Sequence, residues 1–521
     1  MLTIPAFGEQ KVYESRENKK NRVFLVPDAE ENLFDSYENI FLANGFEKKE
    51  SYTRDTHRFA AYTDGKTAYF MNDFRSVREL SIAEEENSAY FDYADACGAS
   101  AVSPQITQVH LEDYGMSYVI RLSDGRFIVI DGGNNFEPHV ENLYRALKEG
   151  TPDGKPTVAA WIMSHPHQDH FHCIVGLVDR YGDEVQIEKV MFLFPEHDDL
   201  ARYPHFAHQD RRMKEDTTCV SYIPRMHHAI EKAGAKIYTP HTGQCYRIGD
   251  AYCEFLASMD DTVHLTNNIN ALSYVIRMTL GGQEILWTTD ASFGFARLPE
   301  RYGAYLKSDI LQIPHHGFGC GSEEAEIAGY ELVRPRVCFL PVSDENAYTL
   351  FSTHKKSTRH IFANMDVCEV IAGDGEQRTI TLPYEAPAYK KAEHLRKFRE
   401  GLENCGARTW VFSDLSSACE EDFVFTFLNM TNVATTVWIE LFFEDTKYAL
   451  RAIKAEIPAK RMKRLNIVGE EVDGNALYFN WMALSDLGVP ENMPFCVRFI
   501  SEVPIVVSHQ KHKESYRSSS V

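Results

Sequence analysis

Apolar and polar positions along this chain fall into two textures. Up to about residue 345, short apolar runs alternate with helix-like stretches and end in polar loops; after Gly406 only short strand-like runs follow. Near the start, Asn21 to Pro27 reads as a strand. Glu30 to Asn44 reads as a helix closed by Gly45, a residue suited to a left-handed C-cap. His57–Tyr62 and Thr67–Phe70 read as a hairpin turned at Asp64-Gly65. From about 103, Tyr118–Leu122 and Arg126–Ile130 read as strands joined at Asp124-Gly125, the second closing on Asp131-Gly132-Gly133. A helix near Val140–Gly150 leads to the buried strand Val158–Met163. Further strands are expected at Leu272–Leu280, Glu284–Thr288, Ile310–Pro314 and Val337–Pro341, with a helix-like stretch near Pro299–Lys307 and a long polar insertion, Pro195–Thr218. Strands with interspersed helices predict a layered α/β arrangement.

Beyond Gly406 the strands Thr409–Phe412, Phe423–Leu428, Thr436–Phe443, Ala449–Ile457, Lys463–Ile467, Cys496–Ile500 and Val503–His509 predict an antiparallel β-sandwich. These changes of texture divide the chain. The expected parts are a small α+β domain (1–102), an α/β domain (103–385), a charged linker helix (386–405), an all-β sandwich (406–513) and a disordered serine-rich tail (514–521). The first of these shows no chemistry of its own and reads as a structural or lid-forming appendage.

The totals narrow the class. At 521 residues the chain exceeds one ordinary core, and 44% apolar with 12% aromatic residues can fill several. A formal charge of −22 argues against a general nucleic-acid binder, duplex DNA above all, because phosphate contact needs a basic face. No apolar run reaches membrane-spanning length, and Met1-Leu2-Thr3-Ile4-Pro5 lacks the basic and apolar regions of a secretion signal. The eleven cysteines form no Cys-x-x-Cys pair, as reduced thiols in a cytoplasmic protein would not.

The chemistry gathers where apolar strands end. Ser164-His165-Pro166-His167-Gln168-Asp169-His170 follows the strand Val158–Met163. Imidazole and carboxylate are the ligands that a borderline divalent metal prefers. In extended backbone His165 and His167 point to one side and can share an ion, while Asp169 and His170, one turn later, can face a second. Asp290 ends another apolar strand, and His315-His316-Gly317 ends a third. Strand ends on one side of a sheet converge, and a carboxylate set between two cations can bridge them.

In number and order these motifs resemble the signature of the metallo-β-lactamase superfamily, with Asp131-Gly132-Gly133 as its early turn. The subtype most similar is the hydrolase domain of ComEC DNA-uptake channels and its soluble relatives. Its pattern is matched by Asn267-Asn268-Ile269-Asn270, Ser273-Tyr274-Val275-Ile276, Asp290 and Asp309–Gly317. The resemblance spans about 103–345 and implies an αββα sandwich with two divalent ions, zinc first and manganese or iron as alternatives. By matched position His165 and His167 would bind the first ion, Asp169 and His170 the second, and Asp290 would bridge. Of His315 and His316, one would complete the second site and the other would donate a proton or touch substrate. We assign His315 to the metal and list Asp169 and His316 as the catalytic pair, with that order left open. Two departures stand out. The loop continues Phe171-His172-Cys173 instead of a small aliphatic and glycines. The superfamily's further histidine before the Asp290 strand is missing, leaving His264, Asn270 or water to complete the first site.

Residues 407–510 resemble the sensory rhodopsin transducer family, on Ala407–Phe412, Leu441–Asp445, Ile457–Arg464 and Ser501–His509. That resemblance implies a small β-sandwich that assembles into homo-oligomers; Arg461 and Arg464 would then meet an anionic ligand or line an interface. Together the readings imply a hydrolase in which a metal-bridging hydroxide attacks a small ester or a phosphate-containing, phosphodiester-type substrate. The alternative is a degenerate metallo-β-lactamase-fold scaffold or sensory protein whose sandwich mediates assembly or signalling.

Overall fold

A computed structural model describes residues 4–5, 11–14, 21–86, 95, 98–111, 115–151, 154–195, 222–262, 268–318, 321–343, 361, 365–373, 377–387, 406–416, 421–444, 453–466 and 493–513. The chain separates into two compact units, Met1–Leu395 and Arg396–Val521. Nearly all of the expected linker helix, most of the polar insertion and the whole 514–521 tail lie outside the described residues.

The first unit opens with a sheet of β1 (Lys11–Glu14), β2 (Asn21–Val26), β3 (Glu47–Thr53), β4 (His57–Thr63), β5 (Ala68–Phe74) and β6 (Glu79–Glu85). Their order is β1-β2-β6-β5-β4-β3, antiparallel throughout. The helix Leu33–Ala43 packs Phe34, Tyr37 and Phe41 on one face, against Tyr62, Tyr69 and Met71. Val23, Phe59, Ala61, Phe70 and Ala83 form a second small core on the other face. Both faces are thus covered, which is why β4 and β5 read as near-continuous apolar runs. β6 was not foreseen, and its Glu84 and Glu85 are buried.

Two mixed sheets follow. Their strands are β7 (Gln105–Gln108), β8 (Ser117–Arg121), β9 (Phe127–Asp131), β10 (Thr157–Ile162), β11 (Gln186–Ile187), β12 (Lys189–Met191) and β13 (Lys236–Tyr238), then β14 (Cys245–Ile248), β15 (Ala251–Ala257), β16 (Val275–Leu280), β17 (Gln283–Trp287), β18 (Ile310–Gln312), β19 (Val337–Ser343), β20 (Glu369–Gly373) and β21 (Arg378–Thr381). One sheet runs β13-β12-β10-β9-β8-β7-β21, with β11 beside β10, and the other runs β14 to β20 in sequence order. A single core draws Tyr118, Val129 and Trp161 from the first and Ile276, Trp287 and Phe339 from the second. The Tyr118 and Trp287 rings meet at 4.8 Å between centroids, so the sheets pack face to face. The helices Glu137–Glu149, Cys173–Tyr181 and Ile223–Ala233 add Leu143, Ile174 and Met226 to that core. The result is an α/β sandwich of mixed sheets. β9 and β10 run parallel, as do β17 and β18, so their C-terminal ends emerge side by side.

The second unit contains β22 (Ala407–Ser416), β23 (Glu421–Asn429), β24 (Thr435–Phe443), β25 (Ile453–Ile457), β26 (Arg461–Asn466) and β27 (Pro494–Lys513). Sequence reading divided the last into two strands; it is one strand that changes partners. Its first half pairs with β22 and β24 and its second half with β23, around a core of Phe425, Phe427, Val437, Ile439 and Phe499. Arg461 and Arg464 are exposed on β26.

Candidate metal centre

Three loops leave the ends of β10, β17 and β18 and are tied together by hydrogen bonds to backbone carbonyls. Thr289 Oγ1 donates to Tyr274 O at 2.8 Å, Tyr274 N donates to Ser164 O at 3.2 Å, and His315 N donates to Thr289 O at 2.9 Å. Asp131, Thr289, His315 and His316 all take positive φ, between 46° and 57°. Non-glycine residues in that region carry strain, and strained positions cluster where side chains must be aimed. The two glycines after Asp131 answer to space. A Cβ on Gly132 would sit 2.9 Å from the Trp161 ring, and one on Gly133 would sit 2.9 Å from His139 Nδ1.

Two groups of side chains result. His165, His167 and Asp290 form one; Asp169, His170 and His316 form the other; within each, the ligating atoms lie within 4.8 Å of one another. The Asp290 carboxylate lies between them. Its Oδ2 is 3.2 Å from His170 Nε2 and 3.8 Å from His165 Nε2, and its Oδ1 is 3.6 Å from His316 Nε2. His165, His170, Asp290 and His316 are buried, whereas the Asp169 and His315 side chains remain 26% and 25% exposed and so form the open side.

The place expected for His315 in the second group is filled by His316. His316 Nδ1 bonds to Pro341 O at 3.0 Å, which turns Nε2 inward to 3.6 Å from Asp169 Oδ2. His315 instead meets Asn270 Nδ2 at 3.0 Å, on the rim beside the first group. His264 and Asn267 lie outside the described residues. His172 is not part of either group: it stacks on Tyr222 at 4.0 Å, and burial pushes it down to about 4.

Sequence reading gave Asp131 no role beyond its turn. Its Oδ1 accepts from Ser164 N at 2.8 Å, and its Oδ2 accepts from Ser164 Oγ at 2.9 Å and faces His170 Nδ1 at 2.8 Å. Ser164 Oγ also meets His165 Nδ1 at 2.9 Å. One carboxylate and one hydroxyl thus engage the outer nitrogens of two histidines; Nε2 of His170 is left for the interior, and Nε2 of His165 meets His167 Nδ1 at 2.8 Å. The only sequence cues were an aspartate closing β9 and a serine preceding the first histidine.

Burial lowers His165 far below its ordinary value, with His170 and His167 adding to the effect, and lowers His167 to about 4. Burial alone would also lower His170, but Asp290, Asp169 and Asp131 raise it well above the ordinary imidazole range; His316 is raised by Asp290 and Asp169. Asp290 and Asp169, which burial alone would raise, are held low chiefly by His170. These imidazoles and carboxylates thus favour one another's charged forms. Nε2 of His170 and of His316 are buried and make no well-directed hydrogen bond. Inward nitrogens of this kind, set among carboxylate oxygens, are the donor set of a borderline divalent metal, and the residues fit one.

Solved structures similar to the chain include a metallo-β-lactamase fold protein, YhfI from Bacillus subtilis (16% identity, 53% of this chain, 99% of that one, TM-score 0.31). The flavodiiron protein from Giardia intestinalis is another, at 12% identity, 60% of this chain, 61% of that one and TM-score 0.24. A third is the Anabaena sensory rhodopsin transducer, at 18% identity, 22% of this chain, 92% of that one and TM-score 0.16. No family model matches the sequence, and no curated protein does. Among the described residues no helix is long and apolar enough to cross a membrane.

Proposed function

We propose that this chain is a metal-dependent hydrolase of the metallo-β-lactamase superfamily, of ComEC-like type, acting on a small ester or phosphodiester-type substrate. The observation that carries the reading is the pairing of two three-residue ligand groups around one carboxylate, Asp290, at the mouth of adjoining parallel strands. In this reading His165, His167 and Asp290 hold one ion, and Asp169, His170 and His316 hold the other, with zinc first and manganese or iron as alternatives. Once bound, the ions acidify water and neutralise charge that develops on oxygen. Asp169 orients the attacking oxygen from the open side. His315, on the same side, touches the substrate, its Nε2 accepting from Asn270 Nδ2 at 3.0 Å. Asp131 and Ser164 hold the histidine rings in register throughout.

The sequence divisions at 102, 385, 405 and 513 are kept as domain boundaries in this proposal. The 406–513 sandwich, transducer-like, makes the chain a homo-oligomer in the cytoplasm, and neither membrane nor duplex DNA is its partner. A second reading, a scaffold with a degenerate site, has one observation in its favour: Asn270, in the segment where the resemblance implies a further histidine, rests against His315.

A panel of chromogenic bis-phosphodiesters and esters on zinc- or manganese-loaded protein separates the two. Turnover that disappears in His167→Ala supports the hydrolase. Absence of turnover across the panel, with partner binding retained in that variant, supports the scaffold.

A further inference from the structure

The first sheet touches the α/β sandwich of the same unit through an ionic layer that the proposed reaction does not use. The helix Met259–Thr262 carries two consecutive buried aspartates, each joined by a cation to a glutamate of β6. His241 Nδ1 meets Asp260 Oδ2 at 2.7 Å, while its Nε2 meets Glu85 Oε2 at 2.6 Å. Arg301 Nη1 donates to Asp261 Oδ1 at 2.6 Å, and its Nη2 donates to Glu79. Thr239 Oγ1 lies 2.9 Å from both Glu85 oxygens, and Thr242 Oγ1 donates to Asp261 Oδ2 at 2.5 Å. All six charged residues are buried.

This layer leads to the metal centre by two covalently short routes. Thr262 Oγ1, at the end of that helix, donates to Ala271 O at 2.5 Å, in the 3-10 turn Ile269–Leu272 that bears Asn270. Tyr274, whose N–H holds the histidine loop at Ser164 O, donates from its hydroxyl to Pro240 O at 3.0 Å, one residue before His241. Asn270 is 6% exposed, its Oδ1 is buried without a hydrogen-bond partner, and its Nδ2 rests against His315.

We propose that the first sheet is a positioning element of the metal centre: Glu85 and Glu79, through His241 and Arg301, fix the helix Met259–Thr262 and with it Asn270 and His315 beside the His165–His167–Asp290 group. The appendage then does not act as a separate body. It sets the one part of the first ligand group that departs from the three-histidine pattern. What the positioned pair is for rests on the hydrolase reading; that it is positioned does not.

Two adjacent glutamates on opposite faces of β6 supply the test. Glu85 faces His241, whereas Glu84 pairs with Arg22 (2.6 Å) and Tyr69 (2.7 Å) inside the first sheet, on the face away from His241. Full-length native protein, Glu85→Gln and Glu84→Gln are compared by amide exchange of peptides covering 259–272 and by cobalt titration followed in absorbance. The expected result for Glu85→Gln is faster exchange in that segment, a shifted cobalt spectrum and metal affinity about 10-fold weaker, the lower end of what loss of a supporting residue costs. Glu84→Gln should leave all three readouts native. Should Glu85→Gln fail to fold, Thr239→Val removes only the hydroxyl on the Glu85 carboxylate and should move the same readouts in the same direction, by less. Unchanged exchange and spectrum in the folded Glu85 or Thr239 variant overturn the proposal, as does an equal response from Glu84→Gln. Native protein that takes up no cobalt sinks the hydrolase reading and leaves the exchange comparison to decide the positioning.

Discussion

The metal centre and the ionic layer beneath the first sheet are built from the same side-chain chemistry, yet they are finished differently. In the layer, both ring nitrogens of His241 are hydrogen-bonded, each to its own carboxylate, at 2.7 and 2.6 Å. At the centre, His170 and His316 each spend Nδ1 on a fixed acceptor and turn Nε2 toward carboxylates that stay 3.2–3.6 Å away. Buried polar groups ordinarily find close partners, and a cluster that leaves several short of one is shaped for something else. The contrast teaches how to tell a structural ion network from a candidate ligand site when both are buried and both are acidic.

The largest effect that can break this comparison is in stability. His241→Ala leaves Glu85 and Asp260 buried without their shared cation, and removing one partner of such a pair costs about 3–5 kcal/mol. Urea denaturation should show it as a lower midpoint at unchanged slope; a midpoint close to native means the layer is no structural network. His167→Ala is the counterpart at the centre. His167 is held neutral there, and among the described residues its ring bonds to His165 Nε2, at 2.8 Å. Its loss should cost the metal-free protein only about 1 kcal/mol, the net value of one hydrogen bond. A loss as large as that of His241→Ala would erase the distinction.

The next effect concerns metal affinity. Asp131→Asn keeps the turn but removes the charge behind His170 and Ser164, so affinity measured by competition with a chelating dye should fall about 10- to 100-fold. An unchanged affinity would make Asp131 a turn residue alone.

The smallest effects are in pH. Although burial opposes it, Asp260 and Glu85 push the His241 imidazole up to about 10 from 6.5. Its folded value lies above its unfolded one, so its contribution to stability is complete below pH 6.5 and is lost as pH climbs toward 10. Denaturation midpoints should therefore decline over that interval in native protein, and the decline should flatten in His241→Gln. At the centre the raised His170 and His316 must lose protons before they can ligate, so metal uptake should release protons and tighten as pH rises. A weakly buffered titration with no acid release would contradict this.

The same contrast explains what could be read from the chain alone. The candidate ligand groups were legible because their residues lie near strand ends: His165 to His170 within one loop, Asp290 three residues past Trp287 and His316 two past Pro314. The choice of His316 over His315 was not legible. It depends on two consecutive left-handed backbone positions and on an acceptor carbonyl, Pro341 O, in β19. The layer was invisible because its partners are far apart, Glu85 and His241 by 156 positions and Glu79 and Arg301 by 222. An acidic strand end such as Glu84-Glu85 reads as solvated until its cations are in place. Likewise, β27 was read as two strands because its pattern changes where it leaves one set of partners for another.

The central claim is that two ions are caged around Asp290. Full-length protein dialysed to equilibrium against zinc, then analysed for metal per chain, tests it most directly. The account predicts two equivalents for the native chain and no more than one for Asp290→Ala at matched concentration. No uptake by the native chain, or two equivalents retained by Asp290→Ala, would contradict it.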